Sequence, residues 1–264
     1  MNLREDQIER YSRHIILQDI GGEGQEKILN GKVLIIGTGG LGSPAALYLA
    51  AAGVGTIGLV DGDVVDMSNL QRQVIHHTPD VGRSKVESAK AKIAEINPDV
   101  NVVTYNELFM AHNALDIIAD QDYDFIIDGT DNFPAKFLIN DACVKAQKPF
   151  SHGGILRFDG QTMTYVPGSA SYRCVFHSPP PPNAVPTCSQ AGVLGAIAGM
   201  LGTIQAAEAL KYLTGVGELL TNRLLIFDAK TMRFREAKVK PNPKYLDIKE
   251  LKDFDQAVCD IKQS

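Results

Sequence analysis

Short apolar runs alternate with longer amphipathic stretches up to about residue 150. The runs at 33–36, 56–60, 101–104 and 125–127 predict strands. Between them, 44–52 predicts a helix with Ser43 as its cap and Pro44 in the first turn. Residues 84–96 place Val86, Ala89, Ile93 and Ile96 on one helical face, and Asn97-Pro98 stops them. Residues 132–146 repeat the cap-then-proline pattern at Asn132 and Pro134. Strands separated by helices imply a parallel sheet with helices on its faces.

After residue 150 the pattern changes. Residues 150–176 carry short strand-like segments such as GQTMTYV. A proline-rich crossover, FHSPPPPNAVPTCSQ, follows and excludes helix or central strand there. A long helix is expected over 191–213, ending at Thr214-Gly215, then strands over 224–227 and 234–239. The fold expected is α/β: a Rossmann-like, mostly parallel sheet with helices on both faces, extended by antiparallel strands in the C-terminal half. The residues divide into a nucleotide half (1–150), a second half (151–243) and a charged amphipathic tail (244–264), read as a docking helix or as partly disordered.

Composition narrows the class. The chain has 264 residues, 44% hydrophobic and 22% charged, enough for a sizeable core. Its net charge of −5 argues against a dedicated nucleic-acid binder. The charged N-terminus lacks a secretory core, and the near-apolar run 191–204 is too short to cross a bilayer, so a cytoplasmic protein with no membrane partner is expected. Cys143, Cys174, Cys188 and Cys259 form no CxxC pair.

The chemistry begins at VLIIGTGGLG, residues 33–42. Gly37, Gly39 and Gly42 satisfy G-x-G-x-x-G between a strand and a helix, with Gly40 in the same turn. Asp61 follows at the end of the next strand, where the fingerprint places an acid on a ribose hydroxyl. Ser43 stands where a P-loop has lysine, which excludes that motif. The stretch DGDVVDMSNLQRQ then supplies Asp63, Asn69, Arg72 and Gln73. Such forked and neutral donors suit charged phosphates better than a nicotinamide ring.

Lys85 falls in a helix first turn, where the macrodipole disfavours a cation unless a phosphate is bound; a solvated surface lysine is the plain alternative. In DFIIDGTDN, Asp131 lies at the sheet's carboxyl edge and suits Mg²⁺ beside a triphosphate. Asp128 is read either as part of that site or as a hydrogen-bond acceptor for the loop. Structural roles are expected for His76, His77 and His152, and a buried, inert thiol for Cys143.

In order along the chain, RYSRHIIL, GTGGLGSP, SNLQRQ, VGRSKVESA, GTDN and TCSQAGVLG resemble the MoeB/ThiF/HesA adenylyltransferases, relatives of ubiquitin-activating enzymes. The resemblance implies a homodimer that binds ATP and Mg²⁺. It implies adenylation of the C-terminal glycine carboxylate of a small ubiquitin-like sulfur-carrier protein ending Gly-Gly, ahead of thiocarboxylate formation. It puts ATP on the glycine turn, Asp61, Asp63, Asn69, Arg72, Gln73, Lys85, Asp128 and Asn132, and Mg²⁺ on Asp131. It implies that Arg13 reaches the partner subunit's site. Cys188, just before the long helix, is read as a reactive thiol for later sulfur transfer, against a merely packed small residue.

The chain departs from the family at its zinc clip: Ser171-Tyr172-Arg173-Cys174 keeps one cysteine of the first pair, and KYLDI after Pro243 has none. No zinc is expected, with local packing that includes Tyr245 replacing the clip. The residues after Pro243 are too few for a rhodanese-like sulfur donor. Alternatives are a same-family enzyme acting on a non-protein carboxylate or modified tRNA, a non-catalytic relative, and an NAD-dependent oxidoreductase.

Overall fold

The computed structural model describes residues 3–180 and 191–254. Five short strands make the parallel part of an eight-stranded sheet. These are β1 (Lys32–Ile36), β2 (Thr56–Val60), β3 (Asn101–Tyr105), β4 (Phe125–Asp128) and β5 (Phe150–Leu156). They pair in parallel, in the order β3-β2-β1-β4-β5, with the apolar β1, β2 and β4 buried in the sheet and β3 at its edge. Beyond β5, strands β6 (Asp159–Tyr165), β7 (Arg223–Asp228) and β8 (Arg233–Lys238) add antiparallel. The expected sheet is thus observed, with strand ends within one residue of those expected.

Side-chain alternation along the central strands feeds two cores. Val33, Ile35, Ile57, Leu59, Phe125 and Ile127 face one layer. It is covered by helices α4 (Gly42–Ala52), α5 (Lys85–Ile96) and the later half of α9 (Gly195–Thr214). Leu34, Ile36 and Ile126 face the other layer, covered by α6 (Ala114–Asp120) and α7 (Phe133–Ala146). Before the sheet lie α1 (Glu5–Arg10), α2 (Ser12–Ile15) and α3 (Gly21–Asn30), and between β6 and α9 the single turn α8 (Tyr172–Val175).

Of three local expectations, two change and one holds. Ser43 is not the cap of α4: the helix begins at Gly42, and Ser43 is buried with its Oγ donating to the Thr38 carbonyl at 3.3 Å. Asn132 does cap α7, its Oδ1 accepting from the Ala135 N–H at 2.9 Å. The long helix starts at Gly195 rather than 191, and Gly215 closes it in a left-handed conformation, φ +77°.

The tail is not a helix where it is described. After a single turn at Pro243–Tyr245, residues 246–254 run as an irregular strap. Leu246, Ile248, Leu251 and Phe254 pack onto the α7 core, and the Lys145 ammonium donates to the carbonyls of Ile248 and Lys249. Between the two segments that carry the zinc clip in the family, Tyr245 stacks on His177 with ring planes 11° apart and centroids 5.4 Å apart. The crossover residues 181–190, Cys188 among them, lie outside the described residues.

Candidate active site

One cavity of about 710 Å³ opens along the carboxyl edge of the parallel strands. Ligands of open α/β sheets bind there because strand-to-helix loops leave a crevice where the strand order reverses. Here that reversal lies between β1 and β4. Gly37, Gly39, Gly40, Asp61, Asp63, Arg72, Gln73, Lys85, Asp131 and Asn132 all line it. Gly42, Asn69 and Asp128 do not, and Arg13 is exposed on α2.

Gly37, Gly39 and Gly42 of the turn do different work. Gly37 adopts φ +89°, and a Cβ there would meet the Gly129 carbonyl at 2.9 Å. At Gly42 a Cβ would sit 1.9 Å from the Gly37 carbonyl, so the close strand–helix approach itself requires glycine. A Cβ on Gly39 would meet only Gln73, at 3.5 Å. Nothing in the protein demands glycine at 39, and its bare backbone faces the cavity, as a phosphate cradle requires.

Asp61 is already engaged with that turn: Oδ2 accepts from the backbone N–H and hydroxyl of Thr38 at 2.8 and 2.9 Å. This fixes the carboxylate beside the glycine loop. Lys85 is 6% exposed, which rules out a solvated surface lysine. Its ammonium meets Asp63 Oδ2 at 2.8 Å, so an acid in the preceding loop offsets the unfavourable helix-start position. Arg72 uses one nitrogen on the Ser68 carbonyl at 3.1 Å. The Gln73 Oε1 is buried without a hydrogen-bond partner among the described residues.

Asp131 is exposed at the cavity edge and makes no hydrogen bond or ion pair among the described residues. An uncommitted carboxylate beside a phosphate cradle fits Mg²⁺, which takes one or two protein carboxylates and completes its shell from phosphates and water. No group of three or more His, Cys, Asp or Glu that could hold a metal occurs among the described residues.

Asp128 sits behind the cavity wall, 1% exposed. It receives the Lys136 ammonium at 3.1 Å, His152 Nδ1 at 3.0 Å and the Thr130 hydroxyl at 2.7 Å. Burial alone would raise its carboxyl, but Lys136 and the hydrogen bonds from His152 and Thr130 win and hold it down at about 2. Lys136 also donates to the carbonyls of Thr130 and Gly153. The acid therefore anchors the DGTDN loop to α7 and β5, which sets where Asp131 stands.

Lys136 and His152 were missed as cavity residues by sequence reasoning, and both line it. Neither belongs to a motif, and only the juxtaposition of α7, β4 and β5 brings them together. His76 has the structural role expected, bridging Ser88 Oγ (2.9 Å) and the Thr38 carbonyl (3.1 Å), and burial lowers its basicity. Cys143 is fully buried, and burial pushes its thiol well up.

Comparison with known proteins adds a lineage. The sequence profile of the ThiF family matches residues 11–247. The chain is 47% identical over 259 residues to a probable adenylyltransferase/sulfurtransferase MoeZ of Mycobacterium tuberculosis, covering 96% of this chain and 66% of that protein's length. It is 46% identical over 243 residues to the SAMP-activating enzyme E1 of Haloferax volcanii, covering 92% of this chain and 89% of that one. Among solved structures, E. coli MccB with ATP superposes with a TM-score of 0.72 at 25% identity, covering 89% of this chain and 72% of that chain.

Proposed function

The chain belongs to the ThiF family, and from that premise we propose that it adenylates the C-terminal glycine carboxylate of a small ubiquitin-like sulfur-carrier protein, using ATP. The observation that carries this reading is a single cavity joining an open Gly39 turn, the cations Arg72 and Lys85, and the uncommitted Asp131. The SAMP-activating relative, aligned over nearly its whole length, and the MccB structure solved with ATP both support it.

ATP lies with its phosphates over Gly39 and Gly40 and its ribose toward Asp61. Arg72, Lys85 and Gln73 serve the phosphates, with Asp63 holding Lys85 in place and Asn132 fixing the loop that carries Asp131. Asn69, which does not line the cavity, instead accepts from the Asp66 N–H within its own loop. Asp131 would hold Mg²⁺, which supplies neutralising charge at the phosphates.

The carrier's carboxylate is ionised at neutral pH, so no general base is needed. One of its oxygens bonds to the α-phosphorus while the bond from α-phosphorus to the bridging oxygen breaks. The electron pair departs with pyrophosphate, leaving an acyl-adenylate. The residues contribute position and charge rather than proton transfer, the usual division of labour in reactions at phosphorus.

The working unit is a cytoplasmic homodimer in which Arg13 reaches the partner's site. The exposed Ile8 on α1, Ile16 and Leu17 just after α2, and Tyr48 on α4 support an apolar contact there. Cys188 acts after adenylation, in sulfur transfer. No structural zinc is required, and the His177–Tyr245 stack supports that reading by joining the two segments. The adenylation unit covers residues 1–243. The test is variant analysis of pyrophosphate exchange into ATP: Asp131→Ala and Arg72→Ala lose it, and Cys188→Ala keeps it. Loss of exchange in Cys188→Ala would contradict this division of roles.

A further inference from the structure

His152 is 1% exposed, lies on β5 and lines the cavity, yet its Nε2 has no hydrogen-bond partner among the described residues. Leaving a buried polar atom unpaired is costly, so one on a residue that lines a cavity points to a ligand group. The chemistry of that group follows from the other ring nitrogen. Nδ1 faces the Asp128 carboxylate at 3.0 Å. A carboxylate with Lys136 against it only accepts, so Nδ1 carries the proton. Burial lowers the basicity of His152, and the Lys136 ammonium lowers it further against the pull of Asp128, so the ring is neutral. Nε2 is then a lone-pair acceptor, unsuited to the oxygens of phosphates and carboxylates and suited to an N–H or O–H donor.

The register across the sheet identifies which donor. Val60 pairs with the Ile36 level, Ile36 with Asp128, and Ile127 with Ser151 one step before His152. Asp61, the Gly39 turn, Asp131 and His152 therefore stand in that order along the carboxyl edge, following β2, β1, β4 and β5. Three strand spacings, about 14 Å, separate the ends of this row. On the function proposed above, ribose lies at Asp61 and the phosphates at the glycine turn and Asp131. The carrier tail is then the reactant that reaches β5. Its carboxylate offers no donor, and the nearest one is the amide N–H of the terminal residue. The surroundings suit a bare peptide: a Cβ on Gly154, which also lines the cavity, would sit 3.4 Å from Nε2, so glycine keeps that space open. Tyr172, 4.4 Å away between ring centroids, walls the other side.

We propose that His152 Nε2 accepts a hydrogen bond from the backbone N–H of the carrier's terminal glycine, making it a specificity residue for the tail. Asp128 and Lys136 act through it as positioning residues. The inference rests on the adenylation reading.

The test pairs two enzymes with two tails, using the full chain and a semisynthetic ubiquitin-like carrier ending Gly-Gly or Gly-sarcosine, the latter lacking that one N–H. With wild-type enzyme, sarcosine raises the KM for carrier about tenfold in pyrophosphate exchange. His152→Ala raises KM for the Gly-Gly carrier by a similar factor, leaves KM for ATP within about twofold, and shows no further penalty with sarcosine. His152→Gln, which keeps an acceptor near Nε2, recovers part of the loss and carries the comparison if His152→Ala fails to fold. Additive losses from tail and enzyme changes, or equal rises in both KM values, would overturn the assignment while leaving adenylation intact. Absence of exchange by wild-type enzyme with the Gly-Gly carrier would overturn both.

Discussion

Lys136 and Asp128 form a buried ion pair that holds the loop bearing Asp131. Removing one partner strands the other charge, so Asp128→Asn is expected to cost about 3–5 kcal/mol in denaturant unfolding. The carboxyl of Asp128 is depressed to about 2 from the ordinary 3.8. Its contribution is complete above 3.8 and is lost as pH falls through about 2, so the gap between wild type and Asp128→Asn should narrow over that window. Asp131 presents the opposite case. It is exposed and unpaired among the described residues, so Asp131→Ala should leave stability within about 0.5 kcal/mol and cut exchange at least about 100-fold. Asp61, Arg72, Lys85 and Asp131 were legible because a strand end, a donor-rich loop and a helix start are local features. His152 and Lys136 were not, because their meaning depends on β4, β5 and α7 meeting.

The glycine turn separates two jobs that its motif merges. Gly42 serves the fold, since its Cβ would overlap the Gly37 carbonyl. Gly39 serves the cavity. Gly42→Ala should therefore unfold or severely destabilise the protein. Gly39→Ala should melt close to wild type and lose at least about tenfold in ATP affinity, as read by calorimetry. At the crossing of α4 and α9, a Cβ on Gly202 would lie 2.2 Å from the Leu41 carbonyl, so Gly202→Ala should cost about 1–3 kcal/mol. The strands and α5, α7 and α9 were readable from apolar period and stop residues. Helix α3, GGEGQEKILN, was not: three glycines in its first four residues imitate a turn, and packing of Ile28 and Gln25 makes it a helix. Over 246–254 the docking-helix alternative for the tail fails, because the apolar residues mimic helical spacing while they follow the surface of α7.

At the scale of the whole molecule, the cavity draws on both halves of the sheet, with Lys85 and Asp131 from the first and His152, Gly154 and Gln161 from the second. No helix among the described residues is long and apolar enough to cross a membrane. The proposed dimer makes a strict prediction, because Arg13 and Asp131 would complete one site from two chains. Arg13→Ala and Asp131→Ala, each inactive alone, should regain about a quarter of wild-type activity when co-refolded, since half the dimers then hold one intact site. Failure to complement would place Arg13 outside the partner's site. The central claim is tested most directly by pyrophosphate exchange into ATP with ubiquitin-like carriers ending Gly-Gly. The account predicts exchange that requires both Mg²⁺ and an intact carrier C-terminus. No exchange with any such carrier would contradict it.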